Sequence, residues 1–378
     1  MGVRAGWRPA GPSLRASHPT GVRKLYLGPV LKRSCLSVCV ATVGFLLLLA
    51  TCVTHLPDQA APESPLSEVT LLIWTPPFGE YRALPDCQEL YQIRGCTLTD
   101  DPRAYPQVDA VIIHHREIAT GEAELPPEPR PSAQKWIWMN YESPTHTSGL
   151  WFLDGVFNLT MSYRTDSDIF LPYGYLVPRG RTDTVGPESA FTHQLSHSRR
   201  PRKGFVAWVV SNWSATHARV GFYQQLRGFV RVDVFGRVGR PLERGDGSVV
   251  RLLRRYKFYL ALENSQHTDY ITEKVWNAVL AGAVPVVLGP SRQNYERFLP
   301  AEAFIHVEDF PTVKELARYL LKLRDDPARM RRHLDWRRSY VLHQPRFWGE
   351  HYCTACRAVR RTRGLSRTVT HLRRWFRS

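Results

Sequence analysis

The chain has 378 residues, too many for one ordinary domain and enough for two globular units with appendages. Its net charge of +17 belongs to its ends: residues 1–33 hold seven basic side chains and no acid, and residues 357–378 hold eight arginines and no acid. The stretch between is close to balanced and has no basic module with interleaved aromatics, which excludes nucleic acid as a partner.

In chain order, residues 1–33 read as a cytoplasmic basic leader. Residues 34–54, SCLSVCVATVGFLLLLATCVT, carry no charge, and as a helix they reach about 30 Å, enough to cross a bilayer. With the positive leader kept in the cytoplasm, this is a type II signal anchor held in membrane lipid, and the body that follows is luminal. Residues 55–67, rich in Pro and small polar side chains, form a stem. Cys35, Cys39 and Cys52 fall in the anchor, so Cys87, Cys96, Cys353 and Cys356 remain for the body. An even number in an oxidising compartment implies two disulfides, with three pairings open. A zinc site built on CTAC is the rival, and the separation of Cys87 from Cys96 lacks the spacing of paired ligands.

The body then shows two series of apolar runs at strand length. TLLIW (70–74), AVIIHH (110–115) and WIWMN (136–140) form the first. FVAWVV (205–210), VDVF (232–235), FYLAL (258–262), VPVVL (284–288) and FIHV (304–307) form the second, with helical patterns between, including one long pattern over 313–336. Strands alternating with helices predict an α/β protein with parallel sheets in two units. A polar stretch rich in Pro, Gly and Arg, 177–203, holds the join.

The densest signal is 256–290, YKFYLALENSQHTDYITEKVWNAVLAGAVPVVLGP: a strand, a polar loop, a helix and a second strand. Asp269 or Thr272 serves as N-cap and Gly282 as the stop, which puts Glu273 and Lys274 in the first helical turn. Free N–H groups, the positive end of the helix dipole and the Lys274 charge together suit a phosphate.

This run resembles the donor-binding signature of the Lewis-type α1,3-fucosyltransferases almost residue for residue, with Leu262 where Phe is usual. The resemblance extends over roughly residues 70–376. It implies the GT-B architecture, two Rossmann-like domains facing a cleft, and a Golgi location for the type II chain. The implied layout is an acceptor-binding domain at 68–180, a linker at 181–203, a GDP-fucose-binding domain at 204–345, and a C-terminal segment, 346–378, returning toward the first domain. The implied reaction is an inverting transfer of L-fucose from GDP-β-L-fucose to O3 of N-acetylglucosamine in type 2 lactosamine glycans, giving Lewis x-type products. The alternatives are a GT-B transferase of different donor or α1,4 linkage, or an inactive membrane-tethered lectin.

Matching the motifs residue by residue implies the site. SNWSATHARV supplies Asn212 and Arg219, and the 256–290 run supplies Tyr259, Asn264, Tyr270, Glu273 and Lys274, all as donor contacts. WIWMNYESPTHT places Glu142 beyond a buried strand end, where it is the expected catalytic base, with Glu117 in reserve. Arg116 in HHREI goes with type 2 acceptors. Asp166-Ser167-Asp168 has the form of a metal-binding DxD motif, but the resemblance gives it a structural or capping role. The expectation is therefore no metal site and no required cofactor, with Mn2+ or Mg2+ at most stimulatory. Of the sequons at Asn158 and Asn212, Asn158 is expected to carry a glycan and Asn212 to stay bare, since a glycan there would obstruct the donor.

Overall fold

The computed structural model describes residues 67–180, 202–243, 245 and 247–378. The leader, the anchor, almost all of the stem and most of the 181–203 linker lie outside the described residues. Among the described residues no helix is long and apolar enough to cross a membrane.

The first sheet is built from β1 (Val69–Thr75), β2 (Cys96–Thr99), β3 (Ala110–His114), β4 (Lys135–Met139), β5 (Leu159–Ser162) and β6 (Ile169–Phe170). Its order is β2-β1-β3-β4-β5-β6 and every pairing is parallel. β3 and β4 are buried at every residue, which is why they read as unbroken apolar runs. Two short helices decorate it: α1 (Cys87–Tyr91), capped by the Asp86 carboxylate, and α2 (His115–Thr120), which leaves β3 without a loop.

β7 (Tyr175–Pro178) carries the chain out. The second sheet comprises β8 (Gly204–Val209), β9 (Val232–Phe235), β10 (Tyr256–Leu262), β11 (Val284–Leu288) and β12 (Ile305–His306), in the order β12-β11-β10-β8-β9, again parallel throughout. Around it lie α3 (Ala218–Leu226), α4 (Ser248–Leu253), α5 (Glu273–Ala281), α6 (Arg292–Glu296), α7 (Val313–Asp325) and α8 (Pro327–Arg332). β13 (Tyr340–His343) then pairs antiparallel with β7, and α9 (Gly349–Arg361) and α10 (Leu372–Arg377) pack into the core of the first sheet.

Both sheets share one winding. The first strand of each lies between the second and the third, so the strand order reverses between β1 and β3 and again between β8 and β10. In such sheets ligands bind outside the carboxyl ends of the strands, at that reversal.

The C-terminal segment is fastened covalently. Of the three open pairings the structure holds Cys87–Cys353 and Cys96–Cys356, which join α9 to α1 and β2. Their sequence separations are 266 and 260 residues. A loop of that length restricts the unfolded chain by on the order of 5 kcal/mol, and the second bridge, which interleaves with the first and spans nearly the same residues, adds less. Three of the terminal arginines bind back as well. Arg360 donates to the carbonyls of Ser67, Arg94 and Gly95, Arg363 pairs with Asp109 and Arg367 with Asp168. Buried Arg164 donates to the carbonyl oxygen of the last residue, Ser378, at 2.9 Å.

Several elements differ from expectation. The long pattern over 313–336 breaks at Asp326, which caps α8, because Pro327 lacks an N–H and suits a first helical position. FIHV keeps only two strand residues. β2, β5, β6, β7 and β13 are too short or too polar to show as apolar runs.

Leu372 and Phe376 of α10 are fully buried, and Phe376 meets Trp138 of β4 edge-on at 4.8 Å. Truncating Phe376 to Ala removes that packing, and the expected cost is about 3–5 kcal/mol, read as a lower denaturant midpoint. A midpoint equal to wild type would mean that α10 contributes nothing to the core.

Candidate functional site

A cavity of about 510 Å³ lies where the carboxyl ends of the two sheets face each other. The first unit contributes Phe78 beyond β1, His115 and Arg116 beyond β3, and Glu142 beyond β4; the second contributes Asn212 beyond β8 and Asn264 beyond β10. Both strand-order reversals therefore open on one space.

Glu142 is exposed and held by one oxygen. Its Oε1 accepts from the Ser143 N–H at 2.9 Å and from the Tyr270 hydroxyl at 2.8 Å, and among the described residues no donor reaches Oε2. The loop beneath is fixed by Asn140, which accepts from the Glu142 N–H and donates to the Thr147 hydroxyl. Burial, reinforced by the charge of neighbouring groups including Glu142, pushes the Tyr270 phenol well above its ordinary range, so it stays a donor. The result is a carboxylate aimed by one oxygen and open at the other, the form a proton acceptor needs.

The second unit gathers its charge around the start of α5. Glu263 follows β10 with its side chain fully buried. It accepts from the Thr272 N–H at 2.8 Å, from the Thr272 hydroxyl at 2.9 Å and from Lys274 Nζ at 2.9 Å. Lys274 Nζ also reaches the Thr272 hydroxyl at 2.7 Å and lies 3.4 Å from Glu273. Burial works against the ammonium, but the charges of Glu263 and Glu273 outweigh it and raise its pKa, so Lys274 stays protonated. Gly289 leaves room for this arrangement, because a Cβ there would stand 2.5 Å from the Tyr295 hydroxyl and 3.2 Å from Glu263 Cγ. Sequence reading passed over Glu263. The available signal was a carboxylate ending an apolar strand, which must be paired when buried, with a lysine on the next helix.

Thr272, not Asp269, stands at the N-cap of α5. Asp269 instead has φ 61 and a side chain that is 1% exposed. It accepts from the N–H and hydroxyl of Thr165 in the first unit, and from Asn294 and Arg297 in the second.

The remaining expected residues fall into two groups. Arg116, Glu142, Asn212 and Asn264 line the cavity. Arg219 and Tyr270 do not line it, but each bonds a residue that does, Asn212 and Glu142 respectively; Lys274 stands further back, bonded to Glu263, the residue before Asn264. Arg219 is buried and donates to the Asn212 carbonyl, while its Nε has no partner among the described residues. Glu273 is exposed beside Lys274, whereas Tyr259 is sealed in the core at 2% exposure and does not face the cavity. Arg116 forms a two-pronged pair with Glu122 at 2.9 and 3.0 Å, and its guanidinium carbon lies 5.5 Å from the Phe78 ring. Phe78 itself adopts φ 61, a left-handed conformation that a bulky residue rarely holds, and Glu117 fixes it by accepting its N–H at 2.8 Å. Glu117 is buried and also engages His114 at 2.5 Å; burial raises its pKa, but the His114 bond and charge prevail and lower it. Glu117, the reserve candidate, does not line the cavity.

Asp166 pairs with Arg164 and accepts from Trp375, while Asp168 accepts from Thr160 and pairs with Arg367. These are structural bonds of the first unit. Asn158 accepts from the Trp136 N–H and donates its Nδ2 to the Arg367 carbonyl at 2.8 Å, whereas Asn212 is exposed.

Comparison with known proteins gives consistent matches. The model of glycosyltransferase family 10 (fucosyltransferase), C-terminal part, matches residues 199–375, and that of the fucosyltransferase N-terminal part matches residues 66–174. The chain is 42% identical over 412 residues to alpha-(1,3)-fucosyltransferase 4 of Bos taurus, across 99% of this chain and 98% of that protein. It is 46% identical over 353 residues to the 4-galactosyl-N-acetylglucosaminide 3-alpha-L-fucosyltransferase FUT6 of Pan troglodytes, across 87% of this chain and 94% of that protein. Among solved structures, an alpha1,3-fucosyltransferase with GDP-fucose aligns at 19% identity with a TM-score of 0.48, over 74% of this chain and 84% of the other.

Glu263 and Lys274 form a buried pair, so removing one partner should cost more than removing both. Glu263→Leu alone is expected to lose about 3–5 kcal/mol of unfolding free energy at neutral pH, with a substantial part recovered in Glu263→Leu/Lys274→Met. Additive losses in the double variant would show that the two side chains do not depend on one another.

Proposed function

The chain belongs to glycosyltransferase family 10, the fucosyltransferases, and on that premise we propose that the cavity joins GDP-β-L-fucose, held by the second unit, to a lactosamine acceptor held by the first. The enzyme is an α1,3-fucosyltransferase acting on N-acetylglucosamine within Galβ1,4GlcNAc. The architecture is GT-B: two units of like winding turn their ligand-binding edges toward one cavity.

The observation that carries the mechanism is the one-sided hold on Glu142. Its free Oε2 takes the proton of the acceptor 3-hydroxyl while Tyr270 keeps the carboxylate aimed. The oxygen forms its bond to C1 of fucose from the face opposite the diphosphate, the C1–O bond to phosphate breaks, and GDP leaves with the electron pair. One displacement inverts the β-linked donor to an α-linked product. The leaving diphosphate needs positive charge and N–H donors, which Lys274, the start of α5 and the unpartnered Arg219 Nε supply. Glu273, exposed in the first turn, suits the ribose hydroxyls, and Asn212 and Asn264 suit polar contacts at the cavity wall. Arg116 belongs to the acceptor side and, with Phe78, favours the type 2 linkage.

The mechanism assigns no step to a metal. Asp166 and Asp168 spend their carboxylates on Arg164, Trp375, Thr160 and Arg367, so Mn2+ or Mg2+ acts, where it acts, on the diphosphate itself. Residues 34–54 anchor the chain in the Golgi membrane with the body in the lumen, a placement supported by the two disulfides, which need an oxidising compartment. A glycan on Asn158 would replace one of the two Nδ2 hydrogens and leave the other for the Arg367 carbonyl.

The test is transfer by the full chain in detergent, with GDP-fucose and either N-acetyllactosamine or its β1,3-linked isomer. Product on O3 of the β1,4-linked acceptor is expected. Glu142→Gln should lower kcat by about 10²–10⁴ with the KM for GDP-fucose little changed. Tyr270→Phe, which removes only the aiming bond, should cost roughly tenfold or more. Near-normal turnover in Glu142→Gln would move the base elsewhere.

A further inference from the structure

The carboxyl edge of the first sheet extends beyond the reaction cavity. A second cavity of about 450 Å³ lies over the ends of β1 and β2, between residues 76–86 and the first turn of α9, and Ile73 of β1 and Asp100 beyond β2 both line it. The two spaces are neighbours along the chain: Pro76 and Glu80 line the second, and Phe78 between them lines the first. They also share Trp348, whose ring centroid is 6.5 Å from that of Phe78 and 5.4 Å from that of Tyr141.

We propose that this second cavity is a subsite for the remainder of the glycan acceptor, taking neutral hexose and N-acetylhexosamine units beyond the disaccharide that reacts. The inference rests on the fucosyl-transfer reading above and extends it to acceptor length. Three observations carry it. The volume falls within the roughly 300–1,000 Å³ of small-molecule sites. The walls offer aromatic faces, with Tyr81 held out at 77% exposure and Phe347 and Trp348 behind it, and such faces stack on the C–H face of a pyranose. The polar groups are fixed and nearly balanced: Arg82 pairs with Glu80 and donates to the Phe347 carbonyl at 3.3 Å, and Arg346, Asp86 and Asp100 complete the charged lining. Three carboxylates against two guanidinium groups favour hydroxyls over an anionic sugar.

The position also explains why the subsite is reached. The reacting hydroxyl meets Glu142 beyond β4, and a chain running along the sheet edge toward β1 passes Phe78 and Trp348 before it meets Tyr81.

The test compares kcat/KM for the Galβ1,4GlcNAc disaccharide and for the linear tetrasaccharide of two such units, using the full chain in detergent. Wild type is expected to favour the tetrasaccharide roughly three- to tenfold, mainly through KM, the range that 0.5–1.5 kcal/mol of aromatic contact gives. Tyr81→Ala should bring that ratio close to one, and Tyr81→Phe, which keeps the ring, should preserve it. The exposure of Tyr81 means that neither change threatens folding. Equal use of both acceptors by wild type, or a ratio unaltered in Tyr81→Ala, overturns the subsite. Absence of transfer to either acceptor instead overturns the fucosyl-transfer reading on which it rests.

Discussion

Residues 263–274 are where the two halves of the body are made to act together. Glu263 at one end holds Lys274 at the other, so the cation proposed for the departing diphosphate is fixed to its own sheet. Between them Asp269 takes two bonds from Thr165 of the first unit and two more from Asn294 and Arg297 of the second. Tyr270 then reaches across to Glu142. A left-handed Asp269 costs on the order of 1 kcal/mol, and the bonds it accepts more than offset that. One loop thus sets the distance between base and cation, a quantity that neither sheet alone controls.

The C-terminal segment performs the complementary task. α9 and α10 leave the second unit only to become part of the core of the first, through two disulfides and the burial of Leu372 and Phe376. The chain therefore crosses between the units twice, and β7 lies beside β13 at the crossing. Such a closed path limits how far the units can part while leaving the cavity edge open. Three of the arginines near the end, Arg360, Arg363 and Arg367, are drawn into the same fastening by carbonyls and acids of the first unit.

Much of this was legible in the residues because it depends on local pattern. The buried strands β3, β4, β10 and β11 announce themselves as apolar runs, and Gly282 announces the end of α5 with φ 70. Motif and position were enough to bring Glu142 and Asn264 to the cavity wall and Lys274 to the first turn of α5. What was not legible depends on pairing across long separations. The short strands β2 and β13 exist because a neighbour completes them, not because CTLT or YVLH prefers that state. Asp269 stayed open beside Thr272 as the cap because its partners, Thr165 and Arg297, are distant in sequence. Tyr259 read as a ligand contact from its motif, but strand alternation turns it into the core.

The division of charge between the two units follows from the chemistry they share. A carboxylate base and a diphosphate are both negative, and placed on one rigid element they would oppose each other as the proton and the leaving group move. Here the proposed base, Glu142, stands on the first unit and the cations Lys274 and Arg219 on the second, and a neutral donor, the Tyr270 hydroxyl, which burial keeps protonated, reaches from the second unit to Glu142. Glu263 completes the logic from behind. Without a buried counter-charge, desolvation would draw Lys274 toward its neutral form. With it, the ammonium persists, and Arg219 on α3, the proposed partner of the diphosphate, has an Nε without a partner among the described residues.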